Sequence, residues 1–159
     1  MFIKLIGDSS DEVRVNWVKK NLSIIPRGSD ILDAGAGELR FKEDCGHLNY
    51  VAQDFGQYEG KGEEGLQTGV WDNNRLDIVS DITDIPVEDE SFDALLCTEV
   101  LEHVPDAVSA LKEFSRILKP GGILLVTAPF ASLTHFAPYH FSGYNKYWYK
   151  HHLPALGFD

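Results

Sequence analysis

The fold of this chain is decided by ILDAGAGE, residues 31–38. The apolar residues before Asp33 predict a buried strand that ends in an acid, and Gly35 and Gly37 then predict a tight turn. Glycine lets the backbone turn sharply and leaves no side chain between main-chain N–H groups and a ligand. In an open α/β sheet such a turn lies beyond the carboxyl ends of the strands, where ligands bind. Because Asp-x-Gly-x-Gly also occurs in loops that bind nothing, its meaning depends on the rest of the chain.

The composition indicates one globular domain over residues 1–159, with a single hydrophobic core. The chain has 25 acidic and 14 basic side chains, a formal net charge of −11, and no local basic patch, which argues against a nucleic-acid partner. Cys45 and Cys97 have no metal-type spacing, and Cys97 lies in an apolar run that predicts a buried free thiol. No stretch is long enough to predict a signal peptide or membrane insertion, so we expect a cytoplasmic location.

Hydrophobic periodicity predicts strands that alternate with helices. We expect helices over 10–24 and 106–118, a short helical turn over 38–44, and a glycine-rich loop over 56–69. A last helix is predicted from Asn145 to Leu153, interrupted by Pro154. Five strands are predicted, over residues 30–34, 49–54, 77–80, 92–97 and 123–128. This order is typical of a Rossmann-like α/β fold with a doubly wound, mostly parallel sheet and right-handed crossovers.

A second acid follows the glycine turn at the spacing typical of nucleoside-binding folds. Asp54 ends the second predicted strand, 21 residues after Asp33. Such a carboxylate can accept hydrogen bonds from ribose hydroxyls. Asp54 could equally do no more than cap the end of its strand.

Two further segments make the pattern specific. They are LLCTEVLEHV at 95–104 and LKPGG at 118–122, and Asp81-Ile82 precedes them. Together with the glycine turn, they resemble the class I S-adenosylmethionine-dependent methyltransferases, particularly the type 11 branch that acts on small molecules. The resemblance covers residues 28–158. Members of this family continue with an antiparallel hairpin of strands 6 and 7, which would follow Gly157. Its lack predicts a C-terminally truncated domain, an open edge at strand 5, and a homodimer as one way to cover that edge.

The resemblance implies ten residues that contact the cofactor S-adenosyl-L-methionine or its product S-adenosyl-L-homocysteine: Asp33, Ala34, Gly35, Gly37, Asp54, Phe55, Asp81, Ile82, Thr98 and Glu99. Asp33 would hold the glycine turn and reach the ammonium group, directly or through water. Asp54 would bind the ribose and Asp81 the adenine amino group, with the Ile82 N–H at a ring nitrogen and Phe55 against the adenine. Thr98 and Glu99 would lie below the sulfonium. The sequence departs from the family pattern at Leu39, where many members have a third glycine.

A dinucleotide-dependent dehydrogenase is the main alternative for a glycine turn of this kind. That class needs Gly-x-Gly-x-x-Gly, so that a pyrophosphate can lie at a helix N-terminus. Here Arg40 occupies the third glycine position, and Asp33 precedes the turn. A set of carboxylates suits a cationic sulfonium better than a pyrophosphate.

The residues after strands 4 and 5 predict the acceptor side of the site. His103 is the first candidate for a general base, and His135 and His140 are the second. Each could instead only order its loop. Residues 129–144 are rich in aromatic side chains, which suggests an aromatic, amphipathic or sugar-like acceptor, although half of these rings could simply pin the loop to the sheet. The spacing of the histidines predicts no metal site.

These observations predict methyl transfer to O, N or C of a small-molecule acceptor, such as a glycan or natural-product intermediate. The alternative is a cofactor-binding pseudoenzyme or assembly partner without turnover.

Overall fold

The computed structural model describes residues 8–57 and 72–159, and of these the side chains of 8–10 and 73 lie outside the description. In this part of the chain the elements are α1 (Asp8–Leu22), β1 (Asp30–Ala34), β2 (Asn49–Asp54), β3 (Ile78–Val79), β4 (Phe92–Thr98), α2 (Ala107–Ile117), β5 (Leu118–Thr127) and α3 (Lys146–Ala155). Short 3-10 turns lie at Glu43–Cys45, Asn73–Arg75 and Leu101–His103. Most of the glycine-rich loop predicted over 56–69 lies outside the described residues.

The described strands form one parallel sheet in the order β3-β2-β1-β4-β5. β1 lies in the centre, where Leu32 pairs with Val51 of β2 on one side and with Leu95 of β4 on the other. The chain order reverses at β1, because β2 and β3 lie to one side and β4 and β5 to the other. The carboxyl ends of β1 and β4 flank this switch point, which is where open α/β sheets bind their ligands.

The sheet is buried on both faces, as its nearly continuous apolar strands predict. On one face, Val18 and Leu22 of α1 pack with Ile31 and Leu96. On the other face, α2 packs against a second cluster of buried residues, which includes Leu32, Leu95, Ala110, Leu111 and Phe114. Helices on both faces of a parallel sheet confirm the predicted doubly wound α/β architecture.

The junction between α2 and β5 differs from the prediction. α2 begins after Asp106, whose carboxylate accepts hydrogen bonds from the Ser109 N–H and hydroxyl at 3.0 and 2.7 Å. The helix ends at Ile117, and β5 starts directly at Leu118, five residues before the predicted start. The LKPGG segment is therefore the first half of a strand, with a register shift against β4 between Phe92 and Ala94.

The last predicted elements also need correction. Asn145 caps α3 as predicted, accepting hydrogen bonds from the N–H groups of Tyr147 and Trp148. The helix continues past Leu153 and ends at Ala155, with Pro154 in its last turn. No strand forms at Gly157-Phe158, so β5 is an edge strand of the described sheet. Among the described helices, none combines the length and the apolar character that crossing a membrane requires.

Candidate active site

A cavity of about 690 Å³ opens beyond the carboxyl ends of β1, β2 and β4. Its walls include the glycine turn after β1, the residues after β3, the turn after β4 and the loop that follows β5. Eight of the ten predicted cofactor-binding residues line it: Gly35, Gly37, Asp54, Phe55, Asp81, Ile82, Thr98 and Glu99. The volume is typical of sites that enclose a small molecule.

Asp33 and Ala34 do not line the cavity, so the contact of Asp33 with the ammonium group, directly or through water, stays a prediction. The Asp33 side chain is only 2% exposed and accepts a hydrogen bond of 2.6 Å from the Tyr50 hydroxyl. Burial raises the pKa of the Asp33 carboxyl to about 7, although the Tyr50 hydroxyl works in the opposite direction. Asp33 is therefore a buried acid of β1, two residues before Gly35, whose side chain is held by Tyr50.

The glycine turn is held against its two neighbouring strands. The N–H groups of Gly35 and Ala36 both donate to the Gln53 carbonyl at 2.8 Å. Gly35 has a φ of +79°, and a Cβ atom there would lie 2.4 Å from a methyl carbon of Val100. Gly35 is therefore required both by the backbone conformation and by the close approach of Val100. Leu39, at the third-glycine position, keeps the left-handed conformation of that position with a φ of 64°.

Asp54 is a structural residue of this turn as well as a wall of the cavity. One carboxylate oxygen accepts from the Gly37 N–H at 3.0 Å, and the other accepts from the Gly56 N–H at 3.1 Å. A carboxylate has about four acceptor positions, so two remain for hydroxyl groups of a ligand. The two alternatives for Asp54 are therefore compatible, because one carboxylate can order the loop and still face the cavity.

The residues after β2 and β3 form the end of the cavity predicted for the adenine. One oxygen of Asp81 accepts from the N–H and the hydroxyl of Thr83 at 2.8 and 2.7 Å. Among the described residues none donates a hydrogen bond to its second oxygen, so that oxygen can accept from an amino group. The rings of Phe55 and Tyr139 pack edge to face, with a distance of 5.3 Å between their centroids. This contact connects this end of the cavity to the loop after β5.

Arg14 of α1 lines the cavity, which sequence reasoning missed. Its guanidinium donates to Glu99 at 2.8 Å and also contacts Asp11. Glu99 has a φ of 55° and accepts a further hydrogen bond of 3.0 Å from the Thr127 hydroxyl. A left-handed conformation at a residue other than glycine is held only when its surroundings determine it, as these two partners do. Arg14 thus lines the cavity from the same helix whose Val18 and Leu22 pack against the sheet.

The three candidate histidines lie together at the other end of the cavity. His103 lines it, and the rings of His135 and His140 meet the His103 ring at centroid distances of 4.7 and 5.5 Å. The His103 Nδ1 contacts the Tyr139 carbonyl oxygen. Burial lowers the pKa of His103 to about 4 and also lowers the pKa of His140. The His103 imidazole is therefore neutral near pH 7 and keeps a lone pair on one ring nitrogen.

Glu102 is a buried acid that sequence reasoning did not single out. It is fully buried, neither of its carboxylate oxygens has a hydrogen-bond partner among the described residues, and Oε1 lies 3.6 Å from His103 Nε2. Burial raises the pKa of the carboxyl to about 8. The main-chain carbonyl of Glu102 accepts from the Phe141 N–H at 2.8 Å, so this residue also fixes the loop after β5.

The donor set fits S-adenosylmethionine. Asp54, Asp81 and Glu99 supply acceptors along the cavity for hydroxyl, amino and cationic groups, while Arg14 supplies a cation for a carboxylate. The cofactor carries each of these groups, and it carries no phosphate. Along the edge of the sheet these acids follow the strand order, with Asp81 after β3, Asp54 at the end of β2 and Glu99 after β4.

Comparison with known proteins identifies the class. The family model described as "Methyltransferase domain" matches residues 32–126, which include the glycine turn, β2, β3, β4, α2 and most of β5. This chain belongs to that family, whose members are class I S-adenosylmethionine-dependent methyltransferases. The predicted family is therefore confirmed.

Individual relatives agree with this assignment. The chain is 33% identical over 119 residues to the ubiquinone biosynthesis O-methyltransferase of Xanthomonas oryzae pv. oryzae, a match that covers 72% of this chain and 48% of the relative. The chain thus spans about half the length of the curated relatives it matches.

Solved structures share the fold. Phosphoethanolamine N-methyltransferase 2 of Haemonchus contortus, solved in complex with S-adenosyl-L-methionine, matches 92% of this chain and 36% of its own, with a TM-score of 0.62 and 19% identity. The cyclase SpnF matches 91% of this chain and 57% of its own, with a TM-score of 0.64 and 23% identity.

Proposed function

We propose that this protein binds S-adenosyl-L-methionine in the cavity and transfers its methyl group to a small-molecule acceptor. The observation that carries the proposal is the convergence of Gly35, Asp54, Asp81 and Glu99 on one cavity at the switch point of a methyltransferase sheet. Asp54 would accept the ribose hydroxyls, Asp81 and Ile82 would hold the adenine, and Thr98 and Glu99 would lie beside the sulfonium.

Methyl transfer needs little covalent assistance from the protein. When bound, the cofactor supplies a methyl group on a positively charged sulfur. An electron pair of the acceptor forms a bond to the methyl carbon while the carbon–sulfur bond breaks, and the electrons of the broken bond stay on sulfur. The protein's task is to align the acceptor with that carbon and to exclude water, which lowers the barrier by several kcal/mol in well-oriented systems. The glycine turn and the carboxylates hold one partner, and the loop after β5 holds the other.

The acceptor side supports a hydroxyl as the attacked group. Phe136, Tyr139 and Phe141 line the cavity beside His103, which gives an apolar wall with one polar group. A neutral imidazole of His103, with His135 and His140 behind it, can accept the proton that a hydroxyl releases. The relatives named as O-methyltransferases favour oxygen among the three atoms that the sequence leaves open.

The second candidate function is cofactor binding without methyl transfer. Its support is the similarity in fold to SpnF, which is named a cyclase, so this architecture carries more than one chemistry. Turnover of an acceptor distinguishes the two functions, whereas cofactor binding does not.

Titration calorimetry with S-adenosyl-L-homocysteine tests the proposal. We expect stoichiometric binding, and we expect Asp54→Asn to weaken it at least tenfold, because Asp54 both orders the glycine turn and faces the ligand. Asp93→Asn is the matched control, since Asp93 pairs with Lys119 and does not line the cavity. A lack of binding at millimolar ligand would refute the proposal.

We also propose that the protein is a cytoplasmic homodimer joined along the β5 edge. β5 pairs only with β4 among the described strands, and an edge with unpaired backbone groups favours association with another strand. Two buried free thiols, Cys45 and Cys97, support a reducing compartment.

A further inference from the structure

We propose that His103, His135 and His140 bind a divalent transition metal ion, with zinc the best fit, at the acceptor end of the cavity. The sequence spacing predicted no metal site, because one ligand follows β4 and the other two follow β5. The fold brings them together, and one ring nitrogen from each lies within 4.8 Å of the other two.

The arrangement of the rings suits coordination to one ion. The three pairs of rings have centroid distances of 4.6 to 5.5 Å and interplanar angles of 86° to 88°. A tetrahedral zinc ion with bonds of about 2.0–2.1 Å separates its nitrogen ligands by about 3.4 Å. The ring nitrogens therefore need to close by little more than an ångström.

For two of the three histidines, an oxygen atom lies next to the ring nitrogen that a metal would leave uncoordinated, whereas the His140 Nδ1 accepts from the His135 N–H at 3.4 Å. The His103 Nδ1 contacts the Tyr139 carbonyl and so carries the proton, which leaves Nε2, 3.6 Å from Glu102 Oε1, to bind the metal. The Nδ1 of His135 lies 2.8 Å from the Leu133 carbonyl. Metal-binding histidines characteristically have such oxygen partners, which orient the ring.

Orphaned buried atoms are a second, independent observation. His103 Nε2 and both carboxylate oxygens of Glu102 are buried and have no hydrogen-bond partner among the described residues. Buried polar atoms without partners are rare and require an explanation. A metal ion on His103 Nε2 gives that nitrogen a partner and places a positive charge close to the buried acid.

A metal bound by three histidines keeps a coordination position for a ligand oxygen. This part of the inference rests on the proposed function. A hydroxyl of the acceptor would bind the metal and release its proton to water, after which the oxygen would form the bond to the methyl carbon as the carbon–sulfur bond breaks. The metal would thereby replace an imidazole base, and it selects acceptors whose hydroxyl can reach His103.

Metal binding is tested on the intact chain with Zn²⁺ alone by calorimetry and with Co²⁺ by visible absorption. We expect one ion per chain and the intense absorption of four-coordinate Co²⁺. His135→Gln and His140→Gln should each weaken binding at least tenfold, and the double variant should abolish the absorption. These side chains are partly exposed, so the variants are expected to fold. His151→Gln, an exposed histidine of α3, is the control and should bind as the unchanged protein does.

The outcomes separate this inference from the proposed function. Absence of stoichiometric binding, or equal binding by the double variant, refutes the metal site, whatever S-adenosyl-L-homocysteine does. Metal binding without S-adenosyl-L-homocysteine binding supports the site and refutes the methyl-transfer proposal. If both ligands bind, a chelator and His140→Gln should each lower kcat/KM at least tenfold. Activity that neither of them affects would overturn the proposal that the metal binds the acceptor hydroxyl.

Discussion

At the scale of single residues, Gly35 is the position of the site that leaves no room for a side chain. Gly35→Ala places a Cβ 2.4 Å from Val100 and also strains a backbone with a φ of +79°. We expect it to lower the free energy of unfolding by about 2–4 kcal/mol and to weaken S-adenosyl-L-homocysteine binding, measured by urea unfolding and calorimetry.

Two variants separate the two causes. Gly28 has a similar φ of +81° with nothing within 4 Å of an added Cβ, so Gly28→Ala should cost only about 1 kcal/mol, for the strain alone. Adding Val100→Ala to Gly35→Ala should recover part of the loss. Equal destabilisation by Gly28→Ala and Gly35→Ala would contradict the steric explanation.

The buried carboxyl of Asp33 predicts a pH-dependent stability. Its pKa is raised to about 7 in the folded chain from 3.8, so between these values the folded state holds a proton that the unfolded state has lost. Asp33 therefore lowers the stability as the pH rises from 4 to 7. Relative to Asp33→Asn, the unchanged protein should lose about 2–3 kcal/mol of unfolding free energy between pH 5 and pH 8.

Urea unfolding at both pH values measures this difference. Asp93→Asn is the control, because the Lys119 ammonium lowers the pKa of Asp93 and its contribution is constant between pH 5 and pH 8. A pH-independent difference between Asp33→Asn and the unchanged protein would show that Asp33 is ionised throughout this range.

At the scale of elements, α1 has two roles, because it covers one face of the sheet and also contributes Arg14 to the cavity. Arg14 lies on the cavity side of this helix and pairs with Glu99, whereas Lys19 of the same helix pairs with Asp44 and does not line the cavity. We expect Arg14→Gln to weaken S-adenosyl-L-homocysteine binding at least tenfold in calorimetry, because it removes a cation for the ligand carboxylate and releases Glu99. Lys19→Gln should leave binding unchanged. Equal affinities for Arg14→Gln and the unchanged protein would restrict α1 to covering the sheet.

The strands show which elements sequence reasoning can predict. β1, β2 and most of β4 were predicted to within a residue, because long apolar runs with acidic or turn residues at their ends admit one interpretation. The start of β5 was wrong, because Pro120, Gly121 and Gly122 have the composition of a turn. Leu118 pairs with Phe92 and Ile123 pairs with Ala94, so pairing with β4 on both sides of the segment overrides its local preference, which no pattern within the segment can report.

The residues of the site also divide into those that the sequence predicts and those that it does not. Residues at strand ends, such as Asp54 and Glu99, were predictable since the carboxyl ends of parallel strands share an edge. Arg14 was not, because a basic side chain on an amphipathic helix has the same sequence signature whether it faces water or a ligand. The meeting of His103 with His135 and His140 depends on how the loop after β5 folds back, which spacing along the chain does not reveal.

At the scale of the whole molecule, the open edge of β5 predicts the state of association. Light scattering should give twice the chain mass at micromolar concentration, and the mass should fall toward that of one chain on dilution. A constant mass of one chain across that range would exclude association through β5 and leave the methyl-transfer proposal untouched.

The loop after β5 owes its shape largely to its main chain. The Phe141 N–H donates to the Glu102 carbonyl, the Tyr144 N–H donates to the Pro129 carbonyl, and Gly143 lies so close to Phe130 that a Cβ atom would not fit. Side chains that face the cavity can thus vary while the scaffold beneath them persists, except Phe136, whose left-handed backbone and ring contacts with His103 and His135 belong to that scaffold. In evolutionary terms, a lineage can explore new acceptors at Tyr139 and Phe141 at little cost to the fold, and a saturation library at those two positions would retrace that search in the laboratory.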